Sequence, residues 1–378
     1  MIKAYFSNLF WLTATFLLAP LFYFLIAFRK KNDRLKILVI QTAKIGDLVC
    51  ATPVFREIKK KFPASRLTVM VASQTKDVLK NNPRVDELVV FTDYQGLAGR
   101  LKLLSKLRKD KYDWAFNVVP GSFDNIISLW ALVPNRATTA YEHSGDVAAL
   151  TSIFSNYRLE YKRRTSIIKH FLDLLRFAGI EDFSMEKEMF IRPEEEKRAA
   201  DFLDRSGLRS SDLIIGISPA AGMKMKEWDP VKFAKTADLL SEKLSAKVVF
   251  IGSSDNKTLI EKIMRMMQNK SVDASGFFKL NELPALLQKL KLFISVDSGP
   301  LHIADAAGIP LAIIAGPIDI PSQGPTRSRF KIIKKDIYCA PCLFAISDPK
   351  GCKEGHFRCL QEIAPEEVFE AAISLIKR

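Results

Sequence analysis

Three short segments carry residue types that can do chemistry, and each follows an apolar run that reads as a buried strand. Val296-Asp297-Ser298-Gly299-Pro300-Leu301-His302 comes after the run Leu292–Val296 and opens a helical stretch, Pro300–Ala307. Gly299 lets a ligand approach the backbone closely. Pro300 suits the first helical position, where its missing N–H costs little. The free N–H groups of the first turn can then bind phosphate, with Asp297 and His302 as polar neighbours. The same residues also suit a plain strand–turn–helix capped by Asp297 or Ser298, and residue types alone leave both readings open.

The second segment, Ser218 to Trp228, follows the run Leu213–Ile217. Its small residues leave room for a ligand, and Lys224 and Lys226 bring positive charge. Trp228 either anchors the loop or walls a pocket. An ordinary surface loop with solvated lysines has the same composition. The third segment, Thr42-Ala43-Lys44-Ile45-Gly46-Asp47, follows Lys36–Gln41. Asp47 is a candidate general base, and Asp also makes a good helix N-cap. No GxxxxGK[ST] P-loop and no Gly-x-Gly-x-x-Gly fingerprint occurs, which disfavours a simple dinucleotide oxidoreductase.

The elements that must position these segments alternate. Strands are expected at Lys36–Gln41, Leu67–Ala72, Glu87–Phe91 and Asp113–Val118. Helices are expected over Asp47–Phe62, Leu97–Lys109, Ser122–Trp130 and Ile167–Ala178. A charged helix near Arg192–Arg205 marks the expected junction, after which strands at Leu213–Ile217, Lys247–Ile251, Leu292–Val296 and Pro310–Ala315 alternate with helices up to Pro365–Ile376. Strand–helix alternation implies parallel sheets covered on both faces, and ligands of such sheets lie beyond the carboxyl ends of the strands. The expected fold class is α/β: two doubly wound, Rossmann-like domains (35–192 and 193–378) facing a cleft, plus an N-terminal membrane helix. A Cys-containing segment, 339–359, and a closing helix, 365–377, belong to the second.

That N-terminal stretch, Ala4–Phe28, is 25 residues without a charge, followed by Arg29, Lys30, Lys31, Arg34 and Lys36. About 20 apolar residues cross a bilayer core, and positive charge stays on the cytoplasmic side. The run is long for a signal peptide and lacks a small-residue cleavage site before the basic cluster. We therefore expect an uncleaved anchor within residues 1–30, in the inner membrane, with the remainder cytoplasmic. A helix lying in the membrane surface is the alternative. The net charge of +15 favours anionic partners or a solubilising surface. No zinc-finger spacing, RNA-binding signature or basic heptad helix points to nucleic acid.

Taken together, KILVIQTAKIGDLVCATPVFREIKKKFP (Lys36 to Pro63), ISPAAGMKMKEWDPVKFAKTADLL (Ile217 to Leu240) and VDSGPLHIADAAGIPLAIIAGPIDIPSQGP (Val296 to Pro325) resemble glycosyltransferase family 9, the heptosyltransferases of lipopolysaccharide synthesis. The resemblance covers about residues 35–378 and implies a GT-B fold with the donor bound mainly by the C-terminal domain. Asp47 matches the family's Gly-Asp motif, proposed to supply the base. Lys226 matches its Lys-x-Trp motif, which contacts donor phosphate, and Asp297, Gly299, Pro300, Leu301 and His302 match the donor junction. Ser218, Ala221, Gly222, Lys224, Gly252 and Ser298 are grouped with these on the donor side, and Lys44 and Gly46 on the acceptor side. Ala221 and Gly222 depart from members that place hydroxyl residues on phosphate there. The implied reaction is a metal-independent, inverting transfer from a nucleotide sugar, ADP-heptose for the family, to an anionic, membrane-associated glycolipid acceptor. The alternatives are a GT-B enzyme with another nucleotide sugar, including an epimerase, or a non-catalytic membrane scaffold of the same fold.

Five cysteines complete the inventory. Cys50 reads as an inert core residue. Cys339-x₂-Cys342-x₉-Cys352-x₆-Cys359 begins with zinc-ligand spacing but does not continue as a standard knuckle. A structural zinc, free thiols or a disulfide are the readings, with His356 as a spare ligand.

Overall fold

Apolar runs buried on both faces are the signature of strands inside a parallel sheet, and the runs KILVIQ and IIGIS each form the first strand of one. The computed structural model describes residues 2–119, 121–141, 147–344 and 351–377, in two compact units. The first unit comprises Met1–Lys76 and Asn82–Met185. Its strands are β1 (Lys36–Gln41), β2 (Arg66–Val71), β3 (Glu87–Val90), β4 (Trp114–Asn117), β5 (Asn135–Tyr141) and β6 (Tyr157–Tyr161), all parallel, in the order β3-β2-β1-β4-β5-β6. Its helices are α1 (Ile2–Ala27), α2 (Ile45–Cys50), α3 (Thr52–Lys61), α4 (Gly96–Asp110), α5 (Ser122–Trp130), α6 (Val147–Ser152) and α7 (Ile167–Asp173).

The second unit comprises Asp77–Asn81 and Glu186–Arg378. It repeats the plan with β7 (Ile214–Ser218), β8 (Lys247–Phe250), β9 (Ser271–Asp273), β10 (Leu292–Val296), β11 (Leu311–Ile314) and β12 (Phe330–Ile333) in the order β12-β11-β10-β7-β8-β9, again all parallel. Its helices are α8 (Pro193–Arg205), α9 (Pro230–Leu244), α10 (Lys257–Met266), α11 (Leu283–Leu287), α12 (Gly299–Ala307), α13 (Ile320–Gln323), α14 (Arg358–Gln361) and α15 (Pro365–Ile376). The side chain of Asn81 reaches Glu195 of α8 at 2.6 Å, which ties the short 77–81 stretch to this unit.

Both sheets reverse their winding between the first and fourth strand of the unit: β1/β4 in one, β7/β10 in the other. Crevices at such switch points are where α/β sheets bind ligands. The Thr42–Asp47 segment leaves β1, the Pro219–Trp228 segment leaves β7, and Asp297–His302 leaves β10, so all three chemical segments start at a switch point.

Several expectations need correction. The helix expected over Asp47–Phe62 is two helices. α2 stops at Cys50 and α3 starts at Thr52, with Pro53 in its first turn, where a proline has no N–H to continue the preceding ladder. The helix expected over Ile167–Ala178 is α-helical only to Asp173 and tightens to a 3₁₀ turn over Leu174–Ala178. Strands β5, β6, β9 and β12 were not expected from the sequence.

Helix α1 does not stand alone. Trp11, Thr15, Ala19 and Phe22 are buried in the hydrophobic cluster of the first unit with Leu103, Leu104, Phe123, Ile126, Ile127 and Trp130. Trp11 and Phe22 meet the Trp130 ring edge-on at 5.1 and 5.0 Å. The window Leu9–Ala27 has a mean hydropathy of 2.0, and only 22% of it is buried.

Candidate functional site

In the second unit, β10 ends at Val296 and α12 begins at Gly299. Ser298 takes the N-cap position with extended backbone, but its hydroxyl does not cap. It sits 3.1 Å from the Ser295 hydroxyl instead. Neither the Asp297 carboxylate nor the Ser298 hydroxyl covers the first turn of α12. Pro300 has no N–H and the Leu301 N–H donates to the Ser298 carbonyl at 3.2 Å, which leaves the Gly299 N–H at the helix mouth with the partial positive charge of a helix start. Asp297 spends its carboxylate elsewhere. Oδ2 accepts from Lys226 Nζ at 2.5 Å, and Oδ1 lies 3.8 Å from His302 Nε2.

Lys226 is placed by a 3₁₀ turn, Lys224–Lys226, that leaves β7. The turn is pinned from beneath. Met225 and Trp228 are buried, the Trp228 indole N–H donates to the Ile363 carbonyl at 3.3 Å, and its ring meets Phe233 edge-on at 4.9 Å. Trp228 is thus the loop's anchor. Lys224 and Gly222 are exposed, and Ala221 is half-buried on the core. A Cβ at Gly222 would meet open space, so packing does not require glycine there. Gly252 differs: a Cβ would come within 2.9 Å of Ile260 and 3.0 Å of Asn256, so this glycine serves close packing. Ser218 is buried at the end of β7, beside Ser295 of β10.

His302 is buried and its environment fixes its state. Lys187 Nζ lies 3.2 Å from Nδ1 and 3.0 Å from Asp305 Oδ2. An ammonium can only donate, so Nδ1 accepts and the ring proton belongs on Nε2, toward Asp297. Burial and then the Lys187 charge push the imidazole down to about 3, against the pull of Asp297 and Asp305, so the ring is neutral. Burial pushes the Asp305 carboxyl up, but Lys187 and the backbone N–H groups of Thr326 and Ser328 outweigh it and hold it below the usual range. The chain Asp305–Lys187–His302–Asp297–Lys226 links a buried ion pair to an ammonium at the helix mouth. Lys187 is 1% exposed and was missed in the sequence, where one lysine in an irregular stretch gives no signal.

In the first unit, Asp47 is not the N-cap of α2. That position is Lys44, whose backbone N–H donates to Asp47 Oδ2 at 3.2 Å, while the exposed Lys44 side chain makes no capping bond. The loop is braced by Gln41, whose side chain accepts from Ala43 N at 2.9 Å and donates to the Asp47 carbonyl at 3.3 Å. Gly46 and Asp47 are half-buried. Beside them, Thr42 Oγ1 donates to Asp124 Oδ2 at 2.9 Å. Burial pushes the Asp124 carboxyl up to about 6, with the Thr42 hydroxyl and Arg100 pulling the other way. A carboxyl near neutrality at the β1/β4 switch point is a second titratable group that sequence reasoning missed, because Asp124 reads as an ordinary helix residue.

All five cysteines are free thiols. Residues 345–350 of the late cysteine segment lie outside the described residues. Cys359 is buried, and burial first, then the charges of Cys342, Cys339 and Cys352, push its thiol up to about 11. Cys339 Sγ lies 3.9 Å from His356 Nε2. Among the described residues no group of three or more His, Cys, Asp or Glu side chains is placed to hold a metal ion.

A family model for glycosyltransferase family 9 (heptosyltransferase) matches residues 100–352. The chain belongs to glycosyltransferase family 9. It is 26% identical over 281 residues to lipopolysaccharide heptosyltransferase 3 of Escherichia coli (strain K12), which covers 72% of this chain and 80% of that one. Among solved structures, a family 9 glycosyl transferase from Veillonella parvula is similar with a TM-score of 0.76 and 24% identity, over 92% of this chain and 99% of that one. The E. coli ADP-heptose lps heptosyltransferase II follows with a TM-score of 0.72 and 20% identity, over 91% and 99%. The expected class, a glycosyltransferase of GT-B-like fold, stands, with two parallel six-stranded sheets where two doubly wound domains were expected.

Proposed function

We propose that this family 9 enzyme transfers heptose from ADP-heptose to an anionic glycolipid acceptor of the lipopolysaccharide core type, with inversion. The observation that carries the donor half is the Lys226–Asp297 pair, 2.5 Å apart beside the uncapped start of α12. A lysine held there by a buried carboxylate, next to the Gly299 N–H at a helix start, suits a diphosphate. The relative named for ADP-heptose supports the choice of sugar nucleotide, and the lipopolysaccharide heptosyltransferase 3 relative supports the acceptor class.

In this reading the second unit holds the donor and the first presents the acceptor. Asp47 takes the proton of the acceptor hydroxyl as that oxygen bonds to the anomeric carbon. The bond from that carbon to the diphosphate oxygen breaks on the opposite face, and its electron pair stays with ADP. Lys226 and the Gly299 N–H at the positive end of α12 stabilise the departing charge. Ser218, Ala221, Gly222, Lys224 and Gly252 border the donor, with Gly222 contributing backbone only. Lys44 and Gly46 lie on the acceptor side. The enzyme works at the cytoplasmic face of the inner membrane, held there by α1.

A thermal-shift series with ADP, UDP, GDP and ADP-heptose tests the donor. ADP and ADP-heptose should raise Tm by mass action, and the other two should not. Equal shifts for all nucleotides, or none, would refute the donor assignment. Asp47→Ala should lower kcat about 10²–10⁴-fold; unchanged turnover would remove Asp47 from the mechanism.

A further inference from the structure

The two faces of α1 are both apolar but are used differently. Trp11, Thr15, Ala19 and Phe22, spaced one helical turn apart, are buried against α5 and its neighbours. The opposite face, Phe10, Leu17, Leu21, Phe24 and Phe28, is open, with Leu17 76% and Phe24 61% exposed. At 1.5 Å per residue the docked stretch from Trp11 to Phe22 is about 17 Å long, more than half of a hydrocarbon core of about 30 Å.

The docking is specific. Thr15 Oγ1 accepts the Trp130 indole N–H at 2.8 Å and donates to the Trp11 carbonyl at 2.6 Å. Past the helix end, Arg29 donates to the Lys111 carbonyl at 2.6 Å, the Leu132 carbonyl at 3.1 Å and Asp113 at 3.2 Å. Asn32 also donates to the Lys111 carbonyl, at 2.6 Å. A helix crossing the bilayer is surrounded by lipid or by other spanning helices. Here that would require either pulling α1 off the unit, which exposes Phe123, Ile126, Ile127 and the Trp130 ring to water, or drawing α5 and the Arg108 side chain, 5.3 Å from the Phe22 ring, into the core.

We infer that α1 is an in-plane anchor: it stays docked on the first unit and sinks its Phe10–Leu17–Leu21–Phe24–Phe28 face into one leaflet of a membrane rich in anionic lipid. Charge complementarity selects the occupant. The Arg29 and Asn32 bonds bring the exposed Lys30 and Lys31 close to the exposed Lys111 and its neighbours Arg108 and Lys109 at the carboxyl end of the apolar face. An apolar face rimmed by basic residues is the pattern of helices that lie at the headgroup boundary. The inference rests on the membrane placement proposed above and is independent of the transferase chemistry.

The test uses the full chain with an N-terminal epitope in sealed inner-membrane vesicles whose enzyme faces outward. An in-plane helix leaves both ends on the outer side, so added protease should remove the epitope from intact vesicles. A protected epitope overturns the inference in favour of a span while the membrane placement survives. In a second arm, Leu17→Glu combined with Phe24→Glu should reduce partitioning onto phosphatidylcholine/phosphatidylglycerol vesicles by about tenfold or more, with Tm unchanged. The parent should bind pure phosphatidylcholine more weakly and lose binding with salt. If the double variant binds vesicles like the parent and only its oligomeric state changes, the face is an interface between copies and the inference falls. If the parent binds no vesicles, the membrane placement falls with it.

Discussion

Replacing Asp305 by Asn probes the buried charge chain from its far end. Lys187 Nζ lies 3.0 Å from Asp305 Oδ2, and both side chains are 1% exposed. At that distance an effective dielectric of about 20 gives an attraction of about 5 kcal/mol. In Asp305→Asn the attraction goes, and the Lys187 ammonium keeps only neutral partners, His302 Nδ1 and the Gly324 carbonyl, both at 3.2 Å. Breaking a buried pair from one side typically costs about 3–5 kcal/mol, and we expect a loss in that range. Lys187→Met is milder. The Asp305 carboxylate keeps the backbone N–H groups of Thr326 at 2.8 Å, Arg327 at 3.1 Å and Ser328 at 2.8 Å, so about 2 kcal/mol is expected. The double variant should fall short of the sum by about 2 kcal/mol or more. Urea unfolding followed by the ¹⁹F signal of fluorinated Trp228 reads this out in the unit concerned, since the other three tryptophans belong to the first unit. Two single variants within about 1 kcal/mol of the parent, or a cycle additive within about 0.5 kcal/mol, would show that these residues do not act as one network.

Three further predictions follow from the same geometry. The His302 ring should stay neutral from pH 5 to 9 by NMR, and Lys187→Met should raise its pKa from about 3, because burial and then the Lys187 charge hold it down; its folded pKa lies below the unfolded one near 6.5, so its contribution to stability is present above pH 6.5 and is lost as pH falls toward 3. Asp124→Asn should raise stability at pH 7.5 by about 1–2 kcal/mol. The parent carboxyl is raised to about 6, so its favourable contribution is full below pH 4 and lost as pH rises through 6, and the gain should vanish near pH 4 in unfolding curves. Lys226→Ala should weaken ADP binding about 10–100-fold by calorimetry, and unchanged affinity would separate Lys226 from the diphosphate.

What could be read in the sequence tracks what one strand or one loop reveals by itself. β1, β7 and β10 are apolar along their length because both faces are covered, so LVI, IIGI and LFISV announce themselves and bring their trailing loops with them. β5 escapes notice because its sequence, NRATTAY, is polar, yet Arg136, Thr138 and Thr139 are buried in it. The Arg136 guanidinium is satisfied by the Phe154 carbonyl at 2.9 Å, and the Thr139 hydroxyl by the Val118 carbonyl at 3.0 Å. Those partners arrive from other elements, so no local pattern encodes them. β12 is an edge strand with three of its four residues exposed, and its short FKII run between Arg329 and Lys334 is too brief to announce a strand.

The same division separates Lys226 from Lys187. Lys226 is visible because its loop, its strand and Trp228 are contiguous in the chain. Lys187 reaches His302 over 115 residues and Asp305 over 118, and its meaning exists only once α12 and the stretch before α8 are folded against each other. Burial is the larger cause of the neutral His302 ring at the mouth of α12, and the distant ammonium adds to it against the pull of Asp297 and Asp305. An imidazolium there would compete with Lys226 for Asp297 and change the charge presented to an incoming diphosphate. The donor site is thus read from a local motif but tuned by a residue outside it, which is why the Lys187 variants, rather than those at the motif, are the sharper test of the electrostatics proposed here.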